Sequence, residues 1–116
     1  MKIARYKDVP ADPAGEAGAA HVAIRWVITQ KDGAPNFAMR VIEVEPGGYT
    51  PFHEHAWEHE VFILNGNGAV VQGDGETPVS HGNVVFVPAG EKHQFKNVGE
   101  EKFEFICLIP NQPAEG

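Results

Sequence analysis

The sequence holds a single cysteine, Cys107. It can therefore form neither an internal disulfide nor a multi-cysteine zinc site, which fits a reducing, cytoplasmic location. Long apolar runs are missing too. No segment approaches the ~20 apolar residues of a membrane helix. Met1 to Val9 carries Lys2, Arg5, Lys7 and Asp8 and has no apolar stretch of signal-peptide length. A soluble, unsecreted protein with no membrane partner is expected. Basic residues are scarce: 9 Lys and Arg face 16 Asp and Glu, for a net charge of −7 and a pI near 5.2. Such a surface repels phosphate backbones, so nucleic acid is excluded as a partner. Finally, no window sustains a 3.6-residue apolar period, which argues against an amphipathic helix anywhere.

What the chain does have is punctuation. Among 116 residues are 13 glycines and 9 prolines, spread between short apolar runs. That is how many short strands joined by tight turns read. The predicted strands are His21–Thr29, Phe37–Glu45 (ended by Pro46-Gly47-Gly48), His53–Leu64 (ended by Asn65-Gly66), Ala69–Gln72, Val84–Val87, Gln94–Asn97 and Lys102–Ile109. Residues 10–20 read as a loop and Lys31-Asp32-Gly33 as a turn. The length suits one domain over residues 1–116, with an N-terminal arm of about residues 1–20 and a core of about 21–110. The class is all-β, a sandwich or barrel.

The chemistry concentrates in Pro51-Phe52-His53-Glu54-His55-Ala56-Trp57-Glu58-His59-Glu60. Three histidines stand at i, i+2 and i+6. On a strand all three share a face, whereas on a helix His53 and His55 lie about 200° apart. Three imidazoles on one face nearly complete the first shell of a transition metal. A fourth ligand is available in His93, just after the Pro88-Ala89-Gly90 turn. A histidine-rich stretch also suits a solvated face. His21 and His81 stand alone and are read as non-ligands.

These residues resemble the two motifs of the cupin superfamily. The first, G-x5-H-x-H-x3,4-E-x6-G, is matched by Gly47, His53, His55, His59 and Gly66; the second, G-x5-P-x-G-x2-H-x3-N, by Gly82, Pro88, Gly90, His93 and Asn97. One position departs: His59 occupies the glutamate slot. Glu60 lies one residue too near Gly66 and, by alternation, on the opposite face. The pattern is similar to small four-histidine cupins, several of which carry manganese. The resemblance implies a small double-stranded β-helix barrel and one divalent metal per chain on His53, His55, His59 and His93. It puts Mn or Fe first, with Ni, Cu and Zn open because ligand type alone does not select among them. It also implies a homodimer.

Four neutral imidazoles would leave the full charge of the ion in the pocket, favouring an anionic substrate group or peroxide. On an octahedral ion they would leave two positions open; tetrahedral zinc would be closed. Imidazole must be neutral to bind, so metal affinity is expected to fall as pH drops through ~6–6.5. Alternation places Trp57, Val61 and Ile63 with the histidines, and sets Phe103, Phe105, Cys107 and Ile109 on one face of the last strand. Arg40, Trp57, Phe95, Phe105 and Cys107 are the expected pocket residues. For the aromatics, core packing is the alternative role. Cys107 is either a small buried apolar residue or a redox-active thiol. Arg40 either holds a substrate carboxylate or pairs with an acid such as Glu43.

The function these features point to is a metal-dependent oxygenase acting on a small organic substrate with dioxygen or peroxide. The alternatives are a binding or sensing protein without catalysis, and an isomerase or lyase using the ion as Lewis acid.

Overall fold

The computed structural model describes residues 1–111. Nine strands follow one another: β1 (Asp12–Pro13), β2 (Ala20–Ile28), β3 (Phe37–Tyr49), β4 (His59–Asn65), β5 (Asn67–Gln72), β6 (Gly75–Ser80), β7 (Val84–Val87), β8 (Gln94–Asn97) and β9 (Phe103–Pro110). Two single-turn 3-10 segments, Tyr6–Asp8 and Gln30–Asp32, are the only helical pieces among the described residues. No helix there is long and apolar enough to cross a membrane. The sheet runs β6-β5-β8-β3-β9-β4-β7, with β2 branching from β3 and carrying β1. Every pairing is antiparallel. The sheet curls on itself as a half-barrel, so the all-β cupin architecture expected from the sequence is the one observed.

The inner face is set by alternation. Along β9, Phe103, Phe105, Cys107 and Ile109 are buried while the residues between them are only partly so. Phe103, Phe105, Ile63 and Val44 are the largest fully buried side chains. Removing each from water contributes about 1.5–3 kcal/mol. Phe105 stacks on Phe95 of β8 at a centroid distance of 4.7 Å, which joins the two halves of the curl. Asn97, the last motif residue, ends β8 by donating to the carbonyls of Val44 and Glu101, both at 2.8 Å.

The N-terminal arm lies along β2 of its own chain. Arg25 donates to the carbonyls of Val9 at 2.6 Å and Lys7 at 3.2 Å, and its Nε meets the buried Glu43 carboxylate at 2.7 Å. Lys102 approaches the other oxygen of Glu43 at 3.3 Å. Glu43 is therefore occupied, and not by Arg40.

Two boundaries and two strands differ from those expected; of the strands, β1 pairs Asp12–Pro13 with β2 inside the segment read as a loop. Pro46-Gly47-Gly48 does not end β3, which runs on to Tyr49. Residues 45–48 bulge between the Ala20↔Tyr49 and Val22↔Val44 pairs, and Gly47, at φ +82°, supplies the left-handed residue the bulge needs. The expected strand His53–Leu64 begins only at His59, after a bend at Ala56 and Trp57. β6 has no counterpart among the expected strands, because five of its six residues are exposed and leave no apolar alternation to read. Its Pro78 is tolerated because β6 is a sheet edge. Pro113, expected to close the chain, lies outside the described residues.

Gly68 packs directly beneath the Phe103 ring, and a Cβ there would collide with three ring carbons. Gly68→Ala is expected to destabilise the protein by about 1–3 kcal/mol, the usual cost of overpacking a core that cannot yield. Urea unfolding of the two proteins side by side measures this; an unchanged midpoint would mean Phe103 is free to move.

Candidate metal centre

The histidines come together through backbone pairing. His53 and His93 form an isolated antiparallel bridge. The His53 amide donates to the His93 carbonyl at 3.1 Å, and the His93 amide to the His53 carbonyl at 2.9 Å. Residues opposed in this way project their side chains to the same side. Neighbouring bonds extend the zipper. The Gly90 amide donates to the His55 carbonyl at 2.7 Å, and the Thr50 amide to the Phe95 carbonyl at 2.9 Å. Phe95 returns its amide to the Thr50 hydroxyl, also at 2.9 Å.

All four rings then face one space. Centroid distances are 4.2 Å for His53–His55, 5.1 Å for His55–His59, 5.1 Å for His59–His93 and 5.8 Å for His53–His93. The sequence expectation reached this grouping by strand alternation. In fact residues 53–58 lie outside any strand apart from the bridge, and the chain bends between His55 and His59. The convergence follows from the bend and the bridge. Glu60 points outward and is exposed, while His59 is buried. His21 and His81 are exposed and do not line the cavity.

The ring nitrogens fit a cation. His93 Nδ1 lies 2.9 Å from the Glu91 carbonyl. A carbonyl only accepts, so Nδ1 carries the hydrogen and Nε2 keeps its lone pair. His59 Nδ1 lies 3.2 Å from Cys107 Sγ, and its buried Nε2 has no partner. His53 Nδ1 faces the Glu16 carboxylate at 3.6 Å. His55 stacks on Trp57, with planes 12° apart and centroids 4.5 Å apart. Orphaned buried polar atoms are costly unless something completes them. Four nitrogen donors of this kind suit a divalent transition metal. The rings are gathered and not yet closed: among the described residues no three His, Cys, Asp or Glu side chains stand at metal-holding geometry.

The surrounding cavity has a volume of about 380 Å³, a size that accepts a small organic molecule. Its walls include all five expected pocket residues: Arg40, Trp57, Phe95, Phe105 and Cys107. Among the lining residues that sequence reasoning missed are an aromatic ring and a carboxylate. Trp26 arrives on β2, and Glu16 arrives on the loop before it. No periodicity marked Glu16; only the folding of residues 14–19 against Pro51 and Val22 brings it to the mouth.

Strand register builds one row across this face. Trp26 opposes Arg40, and Arg40 opposes Cys107. The Arg40 guanidinium lies 5.3 Å from the Trp26 ring centroid, and its Nη2 donates to Cys107 Sγ at 2.9 Å. Cys107 is thus more than apolar filling: its sulfur bridges Arg40 and His59.

Burial pushes the imidazoles of His55, His59 and His93 below their ordinary range, and for His59 the neighbouring Arg40 adds to this, taking it to about 3. At His93 the Glu91 carbonyl opposes the effect. Protonation of these three rings is therefore displaced to lower pH than for a free imidazole, and the expected loss of metal through pH ~6–6.5 shifts in the same direction for them. Burial also raises the Cys107 thiol, against the pull of Arg40.

The two-motif pattern and the curled sheet define the class. The cupin-domain family model (Cupin_2) matches residues 40–109, and the chain belongs to the cupin family. Among solved structures it resembles the polyketide cyclase RemF from Streptomyces resistomycificus. The TM-score is 0.92 and the identity 35%, covering 97% of this chain and 80% of that one. Among curated proteins it is 31% identical over 96 residues to an oxalate-binding protein of Thermotoga maritima, covering 82% of this chain and 76% of that protein. It is 32% identical over 83 residues to the 1-methylthio-D-xylulose 5-phosphate methylsulfurylase of Rhodospirillum rubrum, covering 66% of this chain and 53% of that enzyme. The chain spans about half to three-fifths of the first curated relatives it matches.

The depressed imidazoles link stability to pH. Below pH 6.5 the unfolded chain takes up protons that buried His55, His59 and His93 refuse, so folding weakens as pH falls. In metal-free protein the urea midpoint should drop steadily between about pH 6.5 and 5, a window above the ordinary carboxylate range. A flat profile there would contradict the burial of these rings.

Proposed function

We propose that this cupin is a metal-dependent enzyme acting on a small, largely apolar organic substrate. In this reading His53, His55, His59 and His93 hold one divalent transition cation, with Mn or Fe first and Ni, Cu or Zn also accommodated by the nitrogen donors. The observation that carries it is the buried, unpartnered Nε2 of His59 inside a cluster of four imidazoles that lines the cavity. Bound there, the cation supplies Lewis-acid polarisation of a substrate oxygen.

The chain's own residues supply the rest. Trp57, Phe95 and Phe105 supply apolar aromatic walls that exclude water. Glu91 and Cys107 hold His93 and His59 in position. Glu16 stands at the mouth as the one carboxylate among the described lining residues, placed to accept a proton. Likeness to a polyketide cyclase over nearly the whole chain supports non-redox carbon chemistry, such as ring closure on a keto substrate. The oxygenase reading uses the same ligands and the same dry walls, and adds dioxygen or peroxide as co-substrate. A binding or sensing role would keep the site and lack turnover.

Protein purified without a histidine tag should contain about one transition metal per chain by elemental analysis. His59→Ala and His93→Ala should each weaken binding by more than about 100-fold, the upper end of what losing a mere supporting partner costs. Metal retained in both variants would refute this ligand set. With the holoprotein and an aromatic β-keto substrate, turnover under argon should equal that in air; turnover only in air would replace the Lewis-acid reading with the oxygenase one.

We also propose that the protein forms a homodimer through the free edge at β7. Val84 and Phe86 on that edge are exposed, as is Phe62 beside them, and the groove between these strands also takes in Ile106 and Leu108. Glu60 is the one charged residue among its described lining residues, in a chain of net charge −7. An apolar strand edge of this kind pairs with its own copy unless it is blocked. Sedimentation should show a dimer, and Phe86→Glu should return it to monomer. A wild-type monomer across the micromolar range would overturn the proposal.

A further inference from the structure

The cavity holds a second pole besides the histidines. Arg40 is the one Lys or Arg among its described lining residues. No carboxylate stands within ion-pair distance of it among the described residues. The acids nearest in sequence offer nothing, since Glu43 is taken by Arg25 and Lys102. Arg40 Nε is buried and has no hydrogen-bond partner. Its side chain is nevertheless held in place, by the Trp26 ring on one side and the Cys107 sulfur on the other. An arginine fixed in this way is a preorganised fork with unused donors. Keeping an unpaired guanidinium in a low-dielectric pocket is costly unless an anion joins it. The same sulfur touches His59 at 3.2 Å, so the guanidinium and the imidazole cluster are neighbours in one chamber. Any cation held by the histidines adds charge of the same sign there, and Glu16, more than half exposed at the mouth, is too solvated to balance it.

We propose that Arg40 sets the specificity of the cavity by binding the oxyanion of a flat, conjugated substrate, a carboxylate or enolate carried on an aromatic framework. The anionic oxygen accepts from the guanidinium, on the side of the chamber next to the imidazole cluster. The ring lies among Trp26, Trp57 and Phe95, all of which line the same space. Charge-assisted bonds to the guanidinium select the oxyanion over a neutral isostere, and the aromatic walls select a flat body over a branched one. This deepens the functional reading above, since it names the substrate class of the same site, but the anion pole stands on residues other than the histidines.

The test is calorimetric titration of the full chain with 2-naphthoate and with its neutral counterpart 2-naphthamide, with metal content measured on the same samples. Wild-type protein should bind naphthoate and prefer it to the amide. Arg40→Gln should weaken naphthoate by about tenfold to a hundredfold, the loss of a charge-assisted pair, while weakening the amide far less and leaving the metal content unchanged. Arg40→Lys keeps the charge but not the fork and should fall between the two. Should Arg40→Gln not fold, Trp26→Phe, which removes the larger ring beside the guanidinium, together with the lysine variant, carries the comparison. Equal naphthoate affinity in wild type and the arginine variants would overturn the proposal, as would equal binding of acid and amide by wild type. A protein that lacks metal yet shows Arg40-dependent naphthoate binding would uphold the anion pole and sink the metal reading instead.

Discussion

The site depends on one pair of backbone hydrogen bonds, those exchanged between His53 and His93. The two stand 40 positions apart in the chain, yet the bridge brings their side chains to one side of the sheet. Without it, residues 50–58 are a loop with no strand to order them, and the bend at Ala56 and Trp57 would have nothing to bend against. The pairing of Thr50 with Phe95 and of His55 with Gly90 sits on either side of the bridge and reinforces it. Beneath lies the stacked pair Phe95 and Phe105, which ties this zipper to β9, an interior strand of the sheet. The rigidity of the imidazole cluster is therefore borrowed from the core, as a site on a well-packed sheet requires.

A second constraint is electrostatic. Four imidazoles, an arginine and a thiol share a cavity with apolar walls and a single solvated carboxylate at its mouth. Burial keeps three of the rings neutral, which leaves their nitrogens available as donors rather than as charges. Cys107 is the joint between the two poles. It opposes Arg40 on one neighbouring strand and Val61 on the other, and its sulfur reaches both the guanidinium and His59. The guanidinium of Arg40 is then the one cation among the described lining residues, and it has no carboxylate within ion-pair distance.

Much of this was legible beforehand. The two motifs and the i, i+2, i+6 spacing of His53, His55 and His59 named the four histidines, and alternation grouped Phe103, Phe105, Cys107 and Ile109 on one face of β9. Replacement of the usual glutamate by His59, with Glu60 turned outward, was also readable, because strand alternation does hold from His59 onward. Other features left no local trace. β6 carries almost no apolar residue, because it is an exposed edge. Glu16 sits in a Gly- and Ala-rich loop that reads as mere connection. The stretch from His53 to Glu58 looks like a strand by composition, and only the bend shows that it is not one.

The sequence by itself determined that this is an all-β chain of the cupin type, with four histidines at motif spacing and one inward-facing cysteine, because side-chain period and turn residues are local properties. Tertiary structure alone decided that Arg40 faces the cavity and not Glu43, that Trp26 and Glu16 join it, and that Cys107 links Arg40 to His59. Those relations depend on which residues stand opposite one another across strands far apart in the chain. Cross-strand register follows from how the whole sheet closes, and no local pattern encodes it.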